Sequence, residues 1–395
     1  MIPPSTHRRS RGQSWTGALV LVLASIAGCG PSDKDSKAAS TAKSPQEAIR
    51  CVATHAFGGS PEASHVTALC LSGKTLFVGT QKRLFSLVYD SKLGRFETTP
   101  DAKDDPASGT GFAVRSIRAD GKQVFVATHD GLSIYDGKSW TAESLGPVND
   151  IVNYDGVLWI GRNRGLERRT GTDWKEETIP ATPDSPFMRN RTLCHRIHGL
   201  AVTPDGRLWV GSEFGIFGFL AKEKRWGFHQ YGDYQNIVGD LITNEKGNSS
   251  LCGNQINRLD VDPDSGRLLI CTQTGLSVFD GKDSWKTVQG DYEILSSEGG
   301  TKVRIKKKGN CDIPSPNVVA ATFAGGDVWI GTSSGLVMVH GDKTRLFDTD
   351  AGLPSGYITC LAYDPRESVL FVGTEKGIAA MSPIGGSGSS KATEK

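Results

Sequence analysis

The chain has 395 residues, of which 22 % are charged, 37 % hydrophobic and 48 are glycine, and its formal net charge is +2. That balance excludes a disordered or collagen-like chain, and glycine scattered among short apolar runs points to an all-β, turn-rich fold. The first 28 residues hold Arg8, Arg9 and Arg11 and no acid, so the remainder is near neutral. It lacks the concentrated Lys and Arg that nucleic acid requires, and no nucleic-acid partner is expected.

In chain order, residues 1–28 read as an export signal. The three arginines precede an apolar stretch from Trp15 to Gly28, about 14 residues, too short to span a hydrocarbon core that needs about 20. It ends in Ile26-Ala27-Gly28-Cys29. This resembles the bacterial lipobox, in which small residues precede a cysteine that is acylated and becomes the new N-terminus. The resemblance implies a lipid-bilayer partner through Cys29. Gly30 rather than Asp follows that cysteine, which in such lipoproteins implies outer-membrane over inner-membrane sorting, facing periplasm or cell surface. Residues 29–47 form a polar tether with a reach of roughly 25 Å.

Residues 48–382 carry seven copies of one strand pattern. It reads apolar, aromatic or apolar, apolar, small, then Gly and Leu or Ile a few residues later. Val328-Trp329-Ile330-Gly331-Thr332 with Gly335-Leu336 is one copy, and Leu208-Trp209-Val210-Gly211-Ser212 with Gly215-Ile216 is another. The small residue falls at positions 79, 127, 161, 211, 271, 331 and 373. Seven such units predict a seven-bladed β-propeller of four-stranded antiparallel blades. A run such as Leu-Trp-Ile does not alternate, so both faces of that strand must be buried, as between two blades. The small residue lets the next sheet approach, and the later glycine supplies positive φ at a tight turn. Asp120-Gly121, Asp155-Gly156, Asp205-Gly206 and Gly325-Gly326 join first strands to second. The last unit runs out at Met381 before a Ser/Gly tail, 383–395, expected to be disordered. The segment from Ala48 to Ala53 has no other partner and is expected to close the ring in blade seven.

The last unit reads Leu353-Pro354-Ser355, a β strand, then Leu370-Phe371-Val372-Gly373-Thr374 and Gly377-Ile378. This resembles the two-component regulator propeller repeat, over roughly residues 48–382. Ile313-Pro314-Ser315 matches as well, while Leu193-Cys194 and Leu251-Cys252 have Cys where the pattern has Pro. In that family the repeats form the periplasmic sensor portion of membrane kinases and are thought to bind ligands such as glycans. No transmembrane helix, kinase or DNA-binding region accompanies them in this sequence, so what the resemblance implies is a binding platform.

Function is expected on the face that bears the long connections, about 175–195, 227–255 and 286–316, because binding surfaces favour variable loops on a rigid scaffold. One basic cluster comprises Arg189, Arg191, His195 and Arg196, with His198 beyond it. A second is an extruded hairpin in which Lys302, Arg304 and Lys306 share one strand face. Tyr231, Tyr234 and Tyr292 are candidate stacking platforms in the same insertions. Cys252 and Cys311 are a possible disulfide, whereas Cys70, Cys271 and Cys360 read as buried free thiols. No metal or cofactor site and no catalytic motif is recognised. The leading expectation is a monomeric, membrane-tethered, non-enzymatic envelope module for a glycan or protein ligand. A propeller enzyme such as a polysaccharide or lactone lyase would instead bring His, Tyr, Arg and an acid together over the channel on the insertion face. An assembly scaffold would show an apolar face there.

Overall fold

Each repeat folds into a four-stranded antiparallel sheet whose strands pair in sequence order. Blade one is built from Val66–Ser72, Thr75–Thr80, Leu84–Asp90 and Arg95–Thr98. The computed structural model describes residues 49–58, 60–100, 113–179, 196–222, 225–229, 234–238, 241–245, 251–262, 264–282, 284–298 and 301–382. Seven four-stranded sheets occur among them, with the first strands of successive blades packed side by side around a central channel. This is the all-β seven-bladed propeller that the repeats predict.

The ring closes as expected. Blade seven contributes Ile358–Asp364, Val369–Thr374 and Gly377–Ser382, and its fourth strand is Arg50–His55 from the N-terminal end. Arg50 pairs with Ser382 and His55 with Ile378. Arg345 of blade six also donates to the carbonyl of Ile49 at 3.3 Å. Closure pairs the edge of Gly377–Ser382 that would otherwise stand open.

The repeat pattern has a physical account at each position. A Cβ built on Gly79 would lie 2.3 Å from Val114 Cγ1, and on Gly161, Gly211 and Gly331 it would lie 2.6 Å from Ile197, Ile256 and Ile358. Those contacts are with the first strand of the following blade, so glycine sets the seam. The Thr or Ser two residues before the next turn's end donates its hydroxyl across it, as from Thr332 to Gly335 O at 2.9 Å and Ser212 to Gly215 O at 3.0 Å. Gly335 and Gly215, with φ of 148° and 133°, then open the third strand at a backbone conformation few side chains tolerate. The serine of Leu-Pro-Ser accepts from the backbone two residues on, as Ser355 does from Tyr357 at 3.1 Å. Leu353, Ile313 and Leu251 are buried at its leading position.

The insertions start slightly later than the sequence suggests, because residues from 175, 227 and 286 complete the fourth strands Asp173–Glu177, Arg225–His229 and Trp285–Val288. The extruded hairpin is present as Tyr292–Glu298 paired with Thr301–Lys307. A second hairpin, Tyr234–Val238 with Leu241–Glu245, was not legible in the sequence. No helix among the described residues is long and apolar enough to cross a membrane.

Candidate functional site

Six first strands contain a register shift one residue in from their start: Val66/Ala68, Val114/Ser116, Ile197/Gly199, Ile256/Arg258, Val318/Ala320 and Ile358/Cys360. A β-bulge adds one residue and re-aims its side chain. The extra residues are Thr67, Arg115, His198, Asn257, Val319 and Thr359, and Asn149 holds the same place just before Asp150 in blade three. All seven line one cavity of about 330 Å³ together with Ser116, Asp150, Arg258, Asn317 and Tyr357. The strands start at this end, so it is the channel mouth on the crossover face. Six bulges and Asn149 make one ring.

The ring is polar and partly interlocked. Asn149 Nδ2 donates to Asn163 Oδ1 at 2.9 Å and to Ile197 O at 2.8 Å. Asn257 repeats this two blades on, donating to Asn317 Oδ1 and Val318 O, both at 2.8 Å. Arg115 donates to Asn149 Oδ1 and lies 3.5 Å from His129. Thr67 Oγ1 and His198 Nε2 are buried without a hydrogen-bond partner, although His198 Nε2 stands 3.5 Å from Glu213.

Below the ring, Arg118 reaches across the channel. It forms a two-pronged pair with Asp150 at 2.9 and 3.2 Å and donates to Leu200 O at 3.2 Å and Leu259 O at 3.4 Å. One side chain thereby ties blades two, three, four and five together. Asp150 also accepts from Ser116 and from the Leu200 amide at 2.8 Å. Burial pushes the Asp150 carboxyl up, but Arg118 and these donors outweigh it and hold it below the ordinary value. Burial raises Asp260, and Arg118 and Arg258 only partly offset this. Arg115 is lowered by burial and by the nearby charge of Arg196. Burial likewise lowers His198, against the pull of Glu213.

The opposite mouth differs. Its cavity is larger, about 660 Å³, but it is lined by small residues of the first strands such as Ala320 and Ala362 and by the short-turn side of the blades, including Gly325. Its outer charges are paired: Arg267 lies 3.2 Å from Asp262 and 4.0 Å from the Phe323 ring centre, and a turn residue beyond it, Arg366, lies 2.8 Å from Asp364, while Arg258 and Asp260 line its inner end. Size favours this chamber, and open chemistry favours the smaller one.

The residues singled out by sequence divide as follows. Arg196 stands at the start of blade four and pairs with Glu213 at 3.2 Å. Arg304 is exposed and lies 3.4 Å from Glu293, and Lys306 is exposed on the same hairpin. Lys302 shares their strand in the register that alternation predicts, opposite Ser297, and Tyr234 and Tyr292 begin the first strands of the two hairpins. Cys29, Arg189, Arg191, His195 and Tyr231 lie outside the described residues. The possible disulfide is not formed: Cys252 and Cys311 are both free thiols. Cys252 is buried, its sulfur donating to Leu276 O at 3.1 Å, and burial pushes its thiol up to about 11. Cys271 and Cys360 are buried free thiols as expected, while Cys70 is free and half-buried. No group of potential metal ligands occurs among the described residues. Arg115, Asn149, Asn257, Arg258 and Tyr357 escaped the sequence reading. A bulge breaks alternation, so polar residues in these strands read as ordinary outward positions.

The chain matches no protein-family model and no curated protein. Among solved structures it is similar to the extracellular domain of the hybrid two component system BT4673 from B. thetaiotaomicron, with TM-score 0.57 and 17 % identity over 84 % of this chain and 39 % of that one. The corresponding domain of BT3049 from the same organism gives 0.55 and 16 %, covering 83 % and 41 %. YCF48 from Cyanidioschyzon merolae gives 0.51 and 12 %, covering 83 % and 98 %. The chain thus spans about two-fifths of the two extracellular domains, and the likeness is one of fold: the seven-bladed propeller of two-component system extracellular domains.

Proposed function

We propose that this protein is a sensor-type ligand-binding module of the bacterial cell envelope, anchored through an acylated Cys29, with its site at the crossover-side channel mouth. The observation that carries this reading is the largely polar ring at the mouth, in which Thr67 Oγ1 lacks a partner and His198 Nε2 has only Glu213 at 3.5 Å. Buried polar groups are nearly always satisfied, so such groups at an open cavity suit a polar ligand. The ring's amides and hydroxyls suit a glycan better than an apolar protein surface. The extracellular setting of the similar propellers agrees with an envelope location. On a glycan array, the purified protein should bind at least one polysaccharide class saturably; an array silent for every class overturns the glycan reading. Cys29→Ala should abolish labelling by a fatty-acid analogue and release the protein from membranes. Equal labelling of that variant overturns the anchor.

A second reading is a lyase. His198, Tyr357, Arg115, Arg258 and Asp150 line one cavity, the combination that an eliminating enzyme needs. A neutral His198 would take the proton α to a uronate carboxylate held by the arginines, the glycosidic C–O bond would break, and Tyr357 would protonate the departing oxygen. Asp150 is already committed to Arg118, which leaves it no proton-transfer role and favours binding. Incubation with uronate polymers distinguishes the two, because elimination creates an ultraviolet-absorbing unsaturated uronate and binding does not.

A further inference from the structure

Arg258 stands at the junction of the two channel chambers and lines both. It follows directly after the bulged Asn257, which turns it toward the channel. Among the described residues its guanidinium makes no hydrogen bond and no ion pair within 4 Å, though it feels the charge of Asp260 two residues on, whereas its neighbour Arg118 is saturated by Asp150 and two carbonyls. Arg115 at the rim is likewise without a carboxylate partner; its contacts are an amide oxygen and an imidazole. The mouth is therefore lined by two guanidinium groups and one carboxylate, Asp150, which Arg118 already neutralises from below, while Asp260 offsets Arg258 only in part, from the side of the larger chamber. An unpaired guanidinium inside a protein is costly, and its fork of donors fits a planar or tetrahedral oxyanion.

We propose that the mouth takes an acidic saccharide, its oxyanion seated on Arg258 at the channel floor with Arg115 closing from the rim. This rests on the reading of the mouth as the ligand site and names the ligand class. The Asn257 carbonyl oxygen and the Thr67 and Thr359 hydroxyls line the same mouth and are groups that bond sugar hydroxyls. A volume of about 330 Å³ is at the small end for ligand pockets, which suits one terminal sugar entering end-on. Carboxylate and sulfate ester share the needed chemistry.

The test is calorimetric titration of the purified chain with three probes: a galacturonic acid oligomer, its fully methyl-esterified form, and a sulfated galactose oligomer. One of the acidic oligomers should bind, and which one identifies the oxyanion. If it is the galacturonate, it should bind roughly tenfold or more tighter than its ester, the worth of a charge-assisted contact. Arg258→Gln should bring the acidic probe down to the level of the ester, and Arg258→Lys should restore part of the loss. Arg115→Gln, at the rim, should give a smaller loss and serves if the Arg258 variants do not fold. Ester and acid binding alike, binding unchanged in Arg258→Gln and Arg115→Gln, or neither acidic oligomer binding, would overturn the proposal. The site reading fails separately, if Val319→Trp, which fills the mouth without removing a charge, leaves binding intact.

Discussion

Between blades, packing leaves little to spare: Gly211 and Gly331 have no room for a methyl group, and Trp209 Nε1 is bonded to Thr203 Oγ1 at 3.0 Å. At the crossover-side mouth, the Arg258 guanidinium and Thr67 Oγ1 make no hydrogen bond, and His198 Nε2 has only Glu213 at 3.5 Å. The seams use the positions where the repeat is constant. The mouth uses positions where it varies, since the ring residue is Thr, Arg, Asn, His, Asn, Val and Thr in successive blades. Constancy specifies the ring, and variation at a fixed geometric address specifies what the ring can hold.

The comparison breaks first at closure. Removing Arg50–His55 would leave Gly377–Ser382 as an open edge, and we expect aggregation and loss of a single cooperative melting transition. Removing residues 31–43 should leave melting unchanged. Matching behaviour of the two truncations by light scattering and calorimetry would show that the closing strand contributes no more than the tether. At the seams, Gly211→Val forces a side chain onto Ile256 and should cost about 1–3 kcal/mol, read from the urea midpoint. Arg258→Gln should move that midpoint far less while removing binding of the acidic probe, the reverse of the glycine variant.

Acidity sharpens the contrast further. Burial holds His55, His65, His198 and His229 below their ordinary value. The unfolded chain then takes up protons that the folded chain refuses, so stability is full above about pH 6.5 and declines as pH falls below it. Melting temperature should fall between pH 7 and pH 5.5, and less so in His198→Gln. Asp260, raised by burial, works in the opposite direction at more acid pH, where the folded state holds its proton better. The smallest effect is expected at the hairpin. Changing Lys302, Arg304 and Lys306 to Glu should weaken acidic-ligand association a few-fold at low salt and not at high salt, because exposed charges are screened over about 8 Å. A salt-independent loss as large as that of Arg258→Gln would move the site onto the hairpin.

The ring was legible because its determinants are local and repeated. Leu-Trp-Ile-Gly-Thr announces a strand buried on both faces, and the missing outer strand of blade seven pointed to Arg50–His55. Of the proposed site, the sequence indicated no more than a face. Binary pattern assumes that successive residues alternate sides, and a bulge at Asn257 or Arg115 violates that assumption without any glycine or proline to mark it. Charge clusters drew attention instead to Arg304 and Lys306, which are exposed and solvated. His198 read as the end of a basic cluster, whereas the structure places it in the ring at the mouth. The Cys252–Cys311 pairing failed because Cys252 is spent on the blade seam, where it donates to Leu276 and packs beneath Gly275.

The central claim is that a ligand enters the channel from the crossover side. Two plugs test it: Val319→Trp at the polar mouth and Ala362→Trp at the larger, opposite one, each assayed for glycan binding at a temperature where both are folded. The account predicts that Val319→Trp abolishes binding and Ala362→Trp preserves it. Binding lost with Ala362→Trp and kept with Val319→Trp would contradict the account and place the ligand in the larger chamber.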